Sequence, residues 1–283
     1  MKTILITGIN GYLGSKLAKT FLPDYNVIGL EYSLNNLFRL DGLNIKVYSV
    51  ENGVPDEVFT EQQVDIIIHA ATFYGRLNEQ ISMMAQANLF IPFSLLDKAI
   101  KAKCSLFINT DTVLDRFVST YALTKRQFQE WLYARSKEIS VVNMQLEHFY
   151  GPGCSNTNFV TAMIERLSKN EASIDLTAGE QLRDFIYIDD VVNAFKIALE
   201  TYIDKDITYK SFQVAGSELV TIKNLLILLK ELTGSTSQLN FGAVPYRENE
   251  LMKSETDNAA LVAIGWKPLH ELRDGLKQTI TNI

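Results

Sequence analysis

The sequence predicts an α/β protein built on a doubly wound parallel sheet. Through the first half of the chain, short stretches that are apolar at nearly every position alternate with longer stretches that suit helices. Such fully apolar strands are typical of parallel sheets, which helices cover on both faces. A glycine-rich turn also lies between the first strand and the first helix, in the strand–turn–helix order found at the start of doubly wound sheets.

The predicted elements follow one another in a regular order. Strands are predicted at residues 2–6, 26–30, 45–48, 64–69, 104–109 and 140–144. Helices are predicted between them, the clearest at residues 11–21, 88–103 and 121–137. After the Gly-Pro-Gly turn at 151–153 the alternation ends, and a short strand is predicted at 211–215 among scattered helices and turns.

These patterns predict a division into two domains. We expect residues 1–150 to form a Rossmann-like domain that binds a nicotinamide dinucleotide. Residues 151–283 are predicted to form mainly a small α+β substrate-binding cap over the carboxyl ends of the strands. A segment at about 183–200 is expected to return to the first domain.

Composition excludes several classes of protein. The 283 residues are 47% hydrophobic and carry a net charge of −6 without a basic block, so we expect no nucleic acid partner. No apolar stretch is long enough to cross a bilayer, and the first residues suit a strand rather than a signal peptide. Two cysteines and no Cys/His cluster predict no metal site and a reducing, cytoplasmic location.

The glycine turn is the first candidate site. In Gly-x-x-Gly-x-x-Gly, Gly8 allows the tight turn, Gly11 lets the backbone approach the phosphates, and Gly14 lets the helix pack on the strand. This spacing differs from the commoner Gly-x-Gly-x-x-Gly, and an ordinary glycine turn is the alternative. The strand–turn–helix context favours a dinucleotide site. Three further candidate cofactor-binding residues lie in the same turn: Asn10, Tyr12 and Leu13.

Glu31 bears on which dinucleotide is bound. It follows the second strand, where a carboxylate accepts hydrogen bonds from the adenosine ribose 2′-hydroxyl and repels a 2′-phosphate. The residue therefore favours NAD(H). In the alternative, the carboxylate faces solvent and Arg39 is free to approach the 2′-phosphate of NADP(H).

Tyr121 and Lys125 are the candidate catalytic pair, since they lie one helical turn apart on one face. A tyrosine beside a cation has its phenolate favoured, so it can exchange a proton with a carbinol or ketone. Two other Tyr-x-x-x-Lys pairs are set aside, because Tyr12 belongs to the glycine turn and Tyr133 lies deep in a predicted helix, far from any strand end. Tyr121 opens a helix after the strand whose end supplies Thr110, where ligands bind in open α/β sheets.

Together these motifs resemble the extended short-chain dehydrogenase/reductase family, in its group of nucleotide-sugar epimerases, dehydratases and reductases. The resemblance covers nearly the whole chain and continues through Arg-Asp-Phe-Ile-Tyr-Ile-Asp-Asp at 183–190 and Gly-Trp-Lys-Pro at 265–268. Four rarer segments are similar to the CDP-paratose and CDP-abequose synthases, which reduce a CDP-4-keto-3,6-dideoxyhexose at C4. These segments are 73–76, 145–151, 241–244 and 247–252.

The resemblance implies a role for each candidate catalytic residue. Thr110 would hydrogen-bond the C4 oxygen of the sugar, although the residue alone suits a strand-end threonine capping a turn. Tyr121 would give that oxygen its proton as hydride arrives from the nicotinamide. Lys125 would hold the nicotinamide ribose and lower the pKa of Tyr121. Four further residues would line the cofactor: His69, Ala70, Ala71 and Asn88.

Substrate contacts are also implied by the resemblance. Arg183 and Arg247 would bind the diphosphate or the neighbouring ribose, with surface salt bridges as the alternative. Asn158 and Phe159 lie where a substrate phosphate would meet a helix N-terminus. The other implied substrate contacts are Tyr74, Arg76, Asp111, Thr112, His148, Phe241 and Glu250. A hydrogen-bonded, packed role for His148 and a solvated position for Glu250 remain open alternatives.

The expected reaction is the 4-keto reduction of a CDP-linked sugar for surface polysaccharide. A nucleotide-sugar 4-epimerase that retains NAD is the alternative, because Glu31 favours NAD(H) whereas the reductases of this group are generally associated with NADPH. A dehydratase is disfavoured, since Thr112 stands where those enzymes carry a glutamate base. A non-catalytic regulator would be expected to lose the Tyr121/Lys125 pair. The resemblance also implies a homodimer formed through helices 88–103 and 121–137.

Overall fold

The computed structural model describes residues 1–75, 79–216, 218–247 and 250–282. The chain forms two compact units, each of which contains two separate parts of the sequence. The first unit comprises Met1–Gln145 and Ala194–Phe212. The second comprises Leu146–Asn193 and Gln213–Ile283.

The strands of the described residues are numbered along the chain. They are β1 (Thr3–Thr7), β2 (Asn26–Glu31), β3 (Lys46–Ser49), β4 (Ile66–His69), β5 (Leu106–Thr112), β6 (Ser140–Leu146), β7 (His148–Tyr150), β8 (Ser173–Leu176), β9 (Leu182–Tyr187), β10 (Tyr209–Val214), β11 (Leu219–Thr221) and β12 (Gln238–Phe241).

The helices are numbered in the same way. They are α1 (Tyr12–Phe21), α2 (Glu57–Thr60), α3 (Ile81–Ala85), α4 (Ile91–Lys101), α5 (Thr120–Arg135), α6 (Phe159–Ser168), α7 (Ile188–Tyr202), α8 (Ile222–Thr233), α9 (Ala259–Val262) and α10 (Leu272–Thr281). A π-helical turn at Gln86–Phe90 joins α3 to α4. In the part of the chain that the structure describes, no helix is both long and apolar enough to span a bilayer.

A seven-stranded sheet in the order β10-β6-β5-β4-β1-β2-β3 confirms the predicted fold class. The pairs of β1 with β2 and β4, and of β4 with β5, are parallel. In β4, Ile66, Ile67 and Ile68 are all fully buried. Because successive side chains of a strand point to opposite faces, both faces of this sheet must be covered, as its apolar strands predict.

Two predicted boundaries are wrong. Strand β5 continues to Thr112 instead of ending at residue 109, so Thr110 and Asp111 lie within the strand. Asn143 of β6 accepts a side-chain hydrogen bond from Asn109 and donates one to Asp111, and these bonds accompany the extension of β5. The helix predicted from residue 88 begins as α3 at Ile81, and the π-helical turn lies at the predicted start.

The second unit contains two small sheets. In the three-stranded sheet β11-β9-β7, β9 pairs in parallel with β7 and antiparallel with β11. A parallel pair of β8 and β12 forms the other. Trp266 is 1% exposed and donates its indole N–H to the carbonyl of Asp190 at 3.0 Å, which anchors the segment before α10 in the core.

Candidate active site

The glycine turn between β1 and α1 has a geometry that other residues could not adopt. Gly8 has a φ of +60°, and a Cβ there would lie 2.7 Å from the Cα of Ala71. A Cβ on Gly14 would lie 2.1 Å from the carbonyl oxygen of Gly8. The N-cap of α1 is Gly11, so no side chain caps the first turn of that helix. This helix N-terminus, which no side chain caps, and the close backbone make a cradle that suits a pyrophosphate.

Glu31 is directed at this turn and not at solvent. Its Oε2 accepts a hydrogen bond from the backbone N–H of Asn10 at 3.0 Å, and its Oε1 accepts one from the N–H of Tyr32 at 3.1 Å. Arg39 lies at the same place, since its Nη1 donates to the carbonyl of Asn10 at 3.4 Å. The acid that favours NAD(H) and the arginine that could accept NADP(H) therefore both contact Asn10.

His69 is a buried residue at the end of β4. Its Nδ1 lies 2.8 Å from the hydroxyl of Thr7, and that hydroxyl accepts a hydrogen bond from the N–H of Ala71 at 3.0 Å. Burial, and to a lesser extent the charge of Lys125, lower the pKa of His69 well below its usual value. A neutral imidazole here fixes the ends of β1 and β4 next to the glycine turn. Ala70 is half-buried between His69 and Ala71.

The side chain of Asn88 is engaged by the protein itself. Its Oδ1 accepts from the N–H of Phe73 at 2.8 Å, and its Nδ2 donates to the carbonyl of Phe73 at 2.8 Å and to the hydroxyl of Thr124 at 3.1 Å. The hydroxyl of Thr124 donates in turn to the carbonyl of Tyr121 at 2.8 Å. Asn88 thus ties the segment after β4 to the first turn of α5, and both of its amide hydrogens are used in doing so.

Tyr121 is held in the first turn of α5. The hydroxyl of Ser119 caps this helix by accepting from the N–H of Ala122 at 3.1 Å. The ring of Tyr74 lies against the ring of Tyr121, with 4.8 Å between the ring centroids and 36° between their planes. Two aromatic side chains predicted to meet a ligand are therefore brought together by the structure.

Lys125 is buried one turn further along α5 and is 3% exposed. Burial lowers the pKa of its ammonium to about 8, and the charge of Asp111 opposes that shift. Among the described residues, its Nζ takes part in no hydrogen bond and no ion pair. A buried ammonium without a partner requires acceptors from elsewhere, and ribose hydroxyls are of the right kind.

The side-chain hydroxyl of Thr110 is a second polar group in this region without a hydrogen-bond partner among the described residues. This hydroxyl is buried. Buried hydroxyls normally find partners, so the absence of one here fits a position that a ligand oxygen completes. The hydroxyl of Thr112 instead accepts from the N–H of Leu114 at 3.2 Å and closes the turn after β5.

Asp111, predicted to contact substrate, lies inside the sheet and is 3% exposed. Its Oδ1 accepts from the N–H of Thr112 at 2.8 Å, and its Oδ2 accepts from Nδ2 of Asn143 at 2.8 Å. Oδ1 of Asn143 accepts in turn from Nδ2 of Asn109 at 2.7 Å. The buried chain Asn109–Asn143–Asp111 fixes the position of the Asp111 side chain, and its predicted contact with substrate stays a prediction.

In the second unit, two predicted nucleotide contacts pair with each other. Nη2 of Arg183 donates to Oε1 of Glu250 at 2.8 Å, and its Nη1 donates to the carbonyl of Leu182 at 3.0 Å. Glu250 is half-buried, since its side chain is 20% exposed. Arg247, by contrast, is exposed, and Arg76 lies outside the described residues.

Asn158 caps α6 with its own side chain. Its Oδ1 accepts from the N–H groups of Val160 and Thr161 at 3.0 and 3.4 Å, and its Nδ2 donates to the carbonyl of Phe149 at 3.1 Å. This amide is therefore occupied, whereas Phe159, at the first position of the helix, is 38% exposed. Phe241 ends β12, where the ammonium of Lys223 lies 5.5 Å from the centre of its ring.

His148 opens β7 and pairs with Glu147, which sequence reasoning missed as a functional candidate. Nδ1 of His148 lies 2.7 Å from Oε2 of Glu147. The sequence does carry a signal, because Glu147 is an acid that directly follows a buried strand. Asn109 and Asn143 were missed too, and their signal is a polar residue inside an otherwise apolar strand.

The sequence is similar to those of known proteins. The profile described as the NAD dependent epimerase/dehydratase family matches residues 4–215. The chain belongs to the NAD dependent epimerase/dehydratase family. It is 33% identical to a CDP-abequose synthase of Salmonella typhimurium, over 99% of this chain and 98% of that protein. It is 28% identical to a CDP-abequose synthase of Salmonella muenchen, over 99% of this chain and 97% of that protein.

Solved structures of other proteins share the fold of this chain over nearly its full length. A UDP-glucose 4-epimerase of Thermotoga maritima with UDP-glucose has a TM-score of 0.87 and 25% identity, over 99% of this chain and 98% of that one. A UDP-glucuronic acid 4-epimerase of Bacillus cereus with UDP-glucuronic acid and NAD has a TM-score of 0.88 and 22% identity, over the same shares. The protein is thus an NAD(P)-dependent enzyme of the short-chain dehydrogenase/reductase type.

Proposed function

We propose that this protein is a nucleotide-sugar 4-ketoreductase that reduces a CDP-4-keto-3,6-dideoxyhexose at C4. The observation that carries the proposal is the arrangement at the end of β5 and the start of α5. There, Tyr121 lies in the capped first turn, Lys125 is buried one turn further along the helix, and Thr110 has a buried hydroxyl without a hydrogen-bond partner among the described residues. The full-length likeness to CDP-abequose synthases supports the choice of substrate.

The residues present fit a nicotinamide dinucleotide. The cradle at Gly8–Gly14 accepts a pyrophosphate only because side chains are absent there, and the first turn of α1 is uncapped by a side chain. Glu31 is positioned by Asn10 to accept from a ribose hydroxyl. The reduced cofactor supplies the hydride that reaches C4 of the sugar.

The chain's own residues supply the proton and hold the carbonyl. Tyr121 donates its phenolic proton to the C4 oxygen, so the ketone becomes a hydroxyl with one hydride and one proton added. Thr110 donates a hydrogen bond to the same oxygen while negative charge builds on it. The ammonium of Lys125 stabilises the phenolate that Tyr121 leaves behind, because an opposite charge favours the ionised form.

The choice of cofactor is part of the proposal. Glu31 supports NAD(H), because its carboxylate is fixed at the glycine turn by the N–H of Asn10 and would repel a 2′-phosphate. Arg39 supports NADP(H), since its guanidinium also lies at Asn10. We infer that Glu31 determines which cofactor is preferred, and that NADH is the better reductant.

A 4-epimerase that retains NAD is the second candidate. The fixed Glu31 favours it, because an epimerase of this kind holds NAD and recycles it. It would use the same three residues, with Tyr121 first removing a proton from a C4 hydroxyl and later returning one. The two activities differ in whether reduced cofactor is consumed in proportion to substrate.

Several broader expectations belong to the same proposal. The product would be a 3,6-dideoxyhexose for O-antigen, made in the cytoplasm by a homodimer. Exposed apolar side chains that lie close together in the fold support a dimer, among them Phe90 at 59% and Trp131 at 53% exposure. Their rings both lie near the ring of Phe93.

Absorbance at the reduced-nicotinamide band tests the proposal most directly. The protein is mixed with CDP-4-keto-3,6-dideoxyglucose and either NADH or NADPH. Loss of signal in proportion to substrate is expected, faster with NADH. The Tyr121→Phe variant should lower the rate about 100- to 10,000-fold, the usual contribution of a general acid, with cofactor affinity unchanged.

A matched control is Tyr133→Phe, which alters a second Tyr-x-x-x-Lys pair on an exposed part of α5 and should leave the rate unchanged. No loss of signal with either cofactor would exclude this ketosugar as substrate. NAD released from the denatured protein would then favour the epimerase. A Tyr121→Phe variant of nearly full activity would overturn the catalytic assignment.

A further inference from the structure

Two side chains of β5 are tied to one residue of the neighbouring strand, Asn143 of β6. Nδ2 of Asn109 donates to Oδ1 of Asn143 at 2.7 Å, and Nδ2 of Asn143 donates to Oδ2 of Asp111 at 2.8 Å. We call these three residues the β5 anchor. They all lie in the first unit and are at most 3% exposed. Thr110 stands between the two anchored residues of β5, so the strand is held on both sides of it.

The alternation of side chains along a strand explains this arrangement. Asn109 and Asp111 are two residues apart and leave the same face of β5, so both can reach Asn143. Thr110 leaves the opposite face. Asp111 accepts at both of its oxygens, because its Oδ1 takes the N–H of Thr112 at 2.8 Å. Asn143 therefore turns its Nδ2 towards Asp111, and its Oδ1 is left to accept from Asn109.

The β5 anchor places polar groups in a part of the sheet that is otherwise apolar. Leu106, Phe107 and Ile108 of β5 are 0% exposed, as are Asn109 and Asn143. Oδ1 of Asn109 is buried and has no hydrogen-bond partner among the described residues. A buried polar atom without a partner destabilises a fold, and apolar side chains at these positions would avoid that loss. The stability of the sheet alone therefore does not account for the anchor.

Thr110 is the residue whose position depends most directly on the β5 anchor. No hydrogen bond of its own hydroxyl to the described residues fixes it, so its position follows from the backbone of β5. Asn143 has no exposed surface and can act on a ligand only through its neighbours. Any effect of Asn143 on the reaction must therefore pass through the strand that it holds.

We propose that Asn143 is a positioning residue that holds the Thr110 hydroxyl where it can donate to the C4 oxygen of the substrate. The inference rests on the proposed function, which supplies the reaction and the role of Thr110. A donor stabilises an oxygen that gains negative charge most effectively when it is already in place. A displacement of about 1 Å can lower a rate about 100-fold.

Steady-state reduction of CDP-4-keto-3,6-dideoxyglucose by NADH, with the full chain, tests this inference. Asn143→Ala removes both bonds of the anchor and should lower kcat about 10- to 100-fold. The KM for NADH should not change, because Thr110 is assigned to the sugar and not to the cofactor. Asn109→Ala leaves the bond between Asn143 and Asp111 in place, so kcat should fall by less. This milder variant also provides the test if Asn143→Ala does not fold.

Ser211→Ala is the matched control. The hydroxyl of Ser211 accepts from Nδ2 of Asn143 at 3.4 Å. Ser211 lies on β10, on the side of β6 away from β5. The variant thus removes a contact of the same amide but leaves both bonds to β5, and it should keep the kcat of the wild type.

A double-mutant cycle with Thr110→Val separates positioning from a purely structural role. Thr110→Val removes the hydroxyl and should lower kcat by at least as much as Asn143→Ala does. If Asn143 acts by placing that hydroxyl, adding Asn143→Ala to Thr110→Val should lower kcat no further. A general loosening of the sheet, or an effect of Asp111 on Lys125, would lower kcat by the same factor in both backgrounds.

The outcomes distinguish this inference from the proposed function. Full kcat in folded Asn143→Ala or in Thr110→Val, or an equal loss in both backgrounds of the cycle, would show that Asn143 does not position Thr110 for the reaction. An active wild type would still support the reductase in each of these cases. If the wild type does not reduce the ketosugar with either cofactor, the proposed function fails and this inference fails with it.

Discussion

Lys125 and Asp111 are two buried residues of opposite charge whose properties depend on each other. Burial lowers the pKa of Lys125 to about 8, and the Asp111 carboxylate limits that fall. Burial likewise raises the pKa of Asp111, and Lys125 limits the rise. If Lys125 must be charged to stabilise the phenolate of Tyr121, Asp111 acts on the reaction through Lys125.

Replacing Asp111 should therefore change the pH dependence of reduction. In the wild type, kcat/KM should fall as pH rises through about 8, since Lys125 loses its proton there. Asp111→Asn removes the charge that opposes desolvation, so Lys125 should lose its proton at lower pH and the fall should begin earlier. Rates measured across this range with the ketosugar and NADH test the shift.

The exposed acid Asp115, four residues further on, provides the control. Asp115→Asn should leave the pH at which activity falls unchanged, because a solvent-exposed charge is screened. An unchanged profile in Asp111→Asn would show that this carboxylate does not influence Lys125.

At the scale of secondary-structure elements, local sequence patterns predict the features that depend on interactions between residues close together in the chain. The strands of the parallel sheet follow from continuous apolar stretches, and the glycine turn follows from its spacing after β1. The continuation of β5 to Thr112 cannot be predicted from the local pattern. Its polar end is accompanied by a hydrogen bond from Asn143, which lies on a separate strand. The same long-range pairing places Asn109 and Asp111 in one buried chain, which no local spacing indicates.

The turn after β1 allows a test at this scale, because a matched glycine exists elsewhere. Gly8 and Gly42 both have positive φ, +60° and +77°, but a Cβ on Gly42 would meet nothing within 4 Å. Gly42→Ala should lose only about 1–2 kcal/mol for the left-handed backbone. Gly8→Ala adds a clash with the backbone of Ala71, so it should destabilise the protein by more and also weaken NADH binding.

Denaturant unfolding and NADH titration of both variants provide the measurement. Equal losses of stability, with NADH affinity retained in Gly8→Ala, would mean that the turn relaxes and that its close approach to Ala71 is not required.

At the scale of the whole molecule, each unit joins segments that are distant in sequence. Residues Ala194–Phe212 belong with Met1–Gln145, and β10 adds to the sheet beside β6. Alternation of strands and helices predicts the sheet, but the contribution of β10 is not visible in that local pattern. The pairing of Arg183 with Glu250 likewise joins residues far apart in the chain.

Ligand binding to the native state raises the stability of the whole chain, by about 2.7 kcal/mol at a ligand concentration 100 times Kd. Because Glu31 is fixed at the glycine turn, NADH should raise Tm more than NADPH at equal concentration. Glu31→Gln retains an acceptor for the N–H of Asn10 but removes the charge that repels a 2′-phosphate, so the NADPH shift should grow towards that of NADH. Glu51→Gln, at an exposed position, should change neither shift. A larger shift with NADPH in the wild type would contradict the role of Glu31 and indicate that Arg39 determines the cofactor.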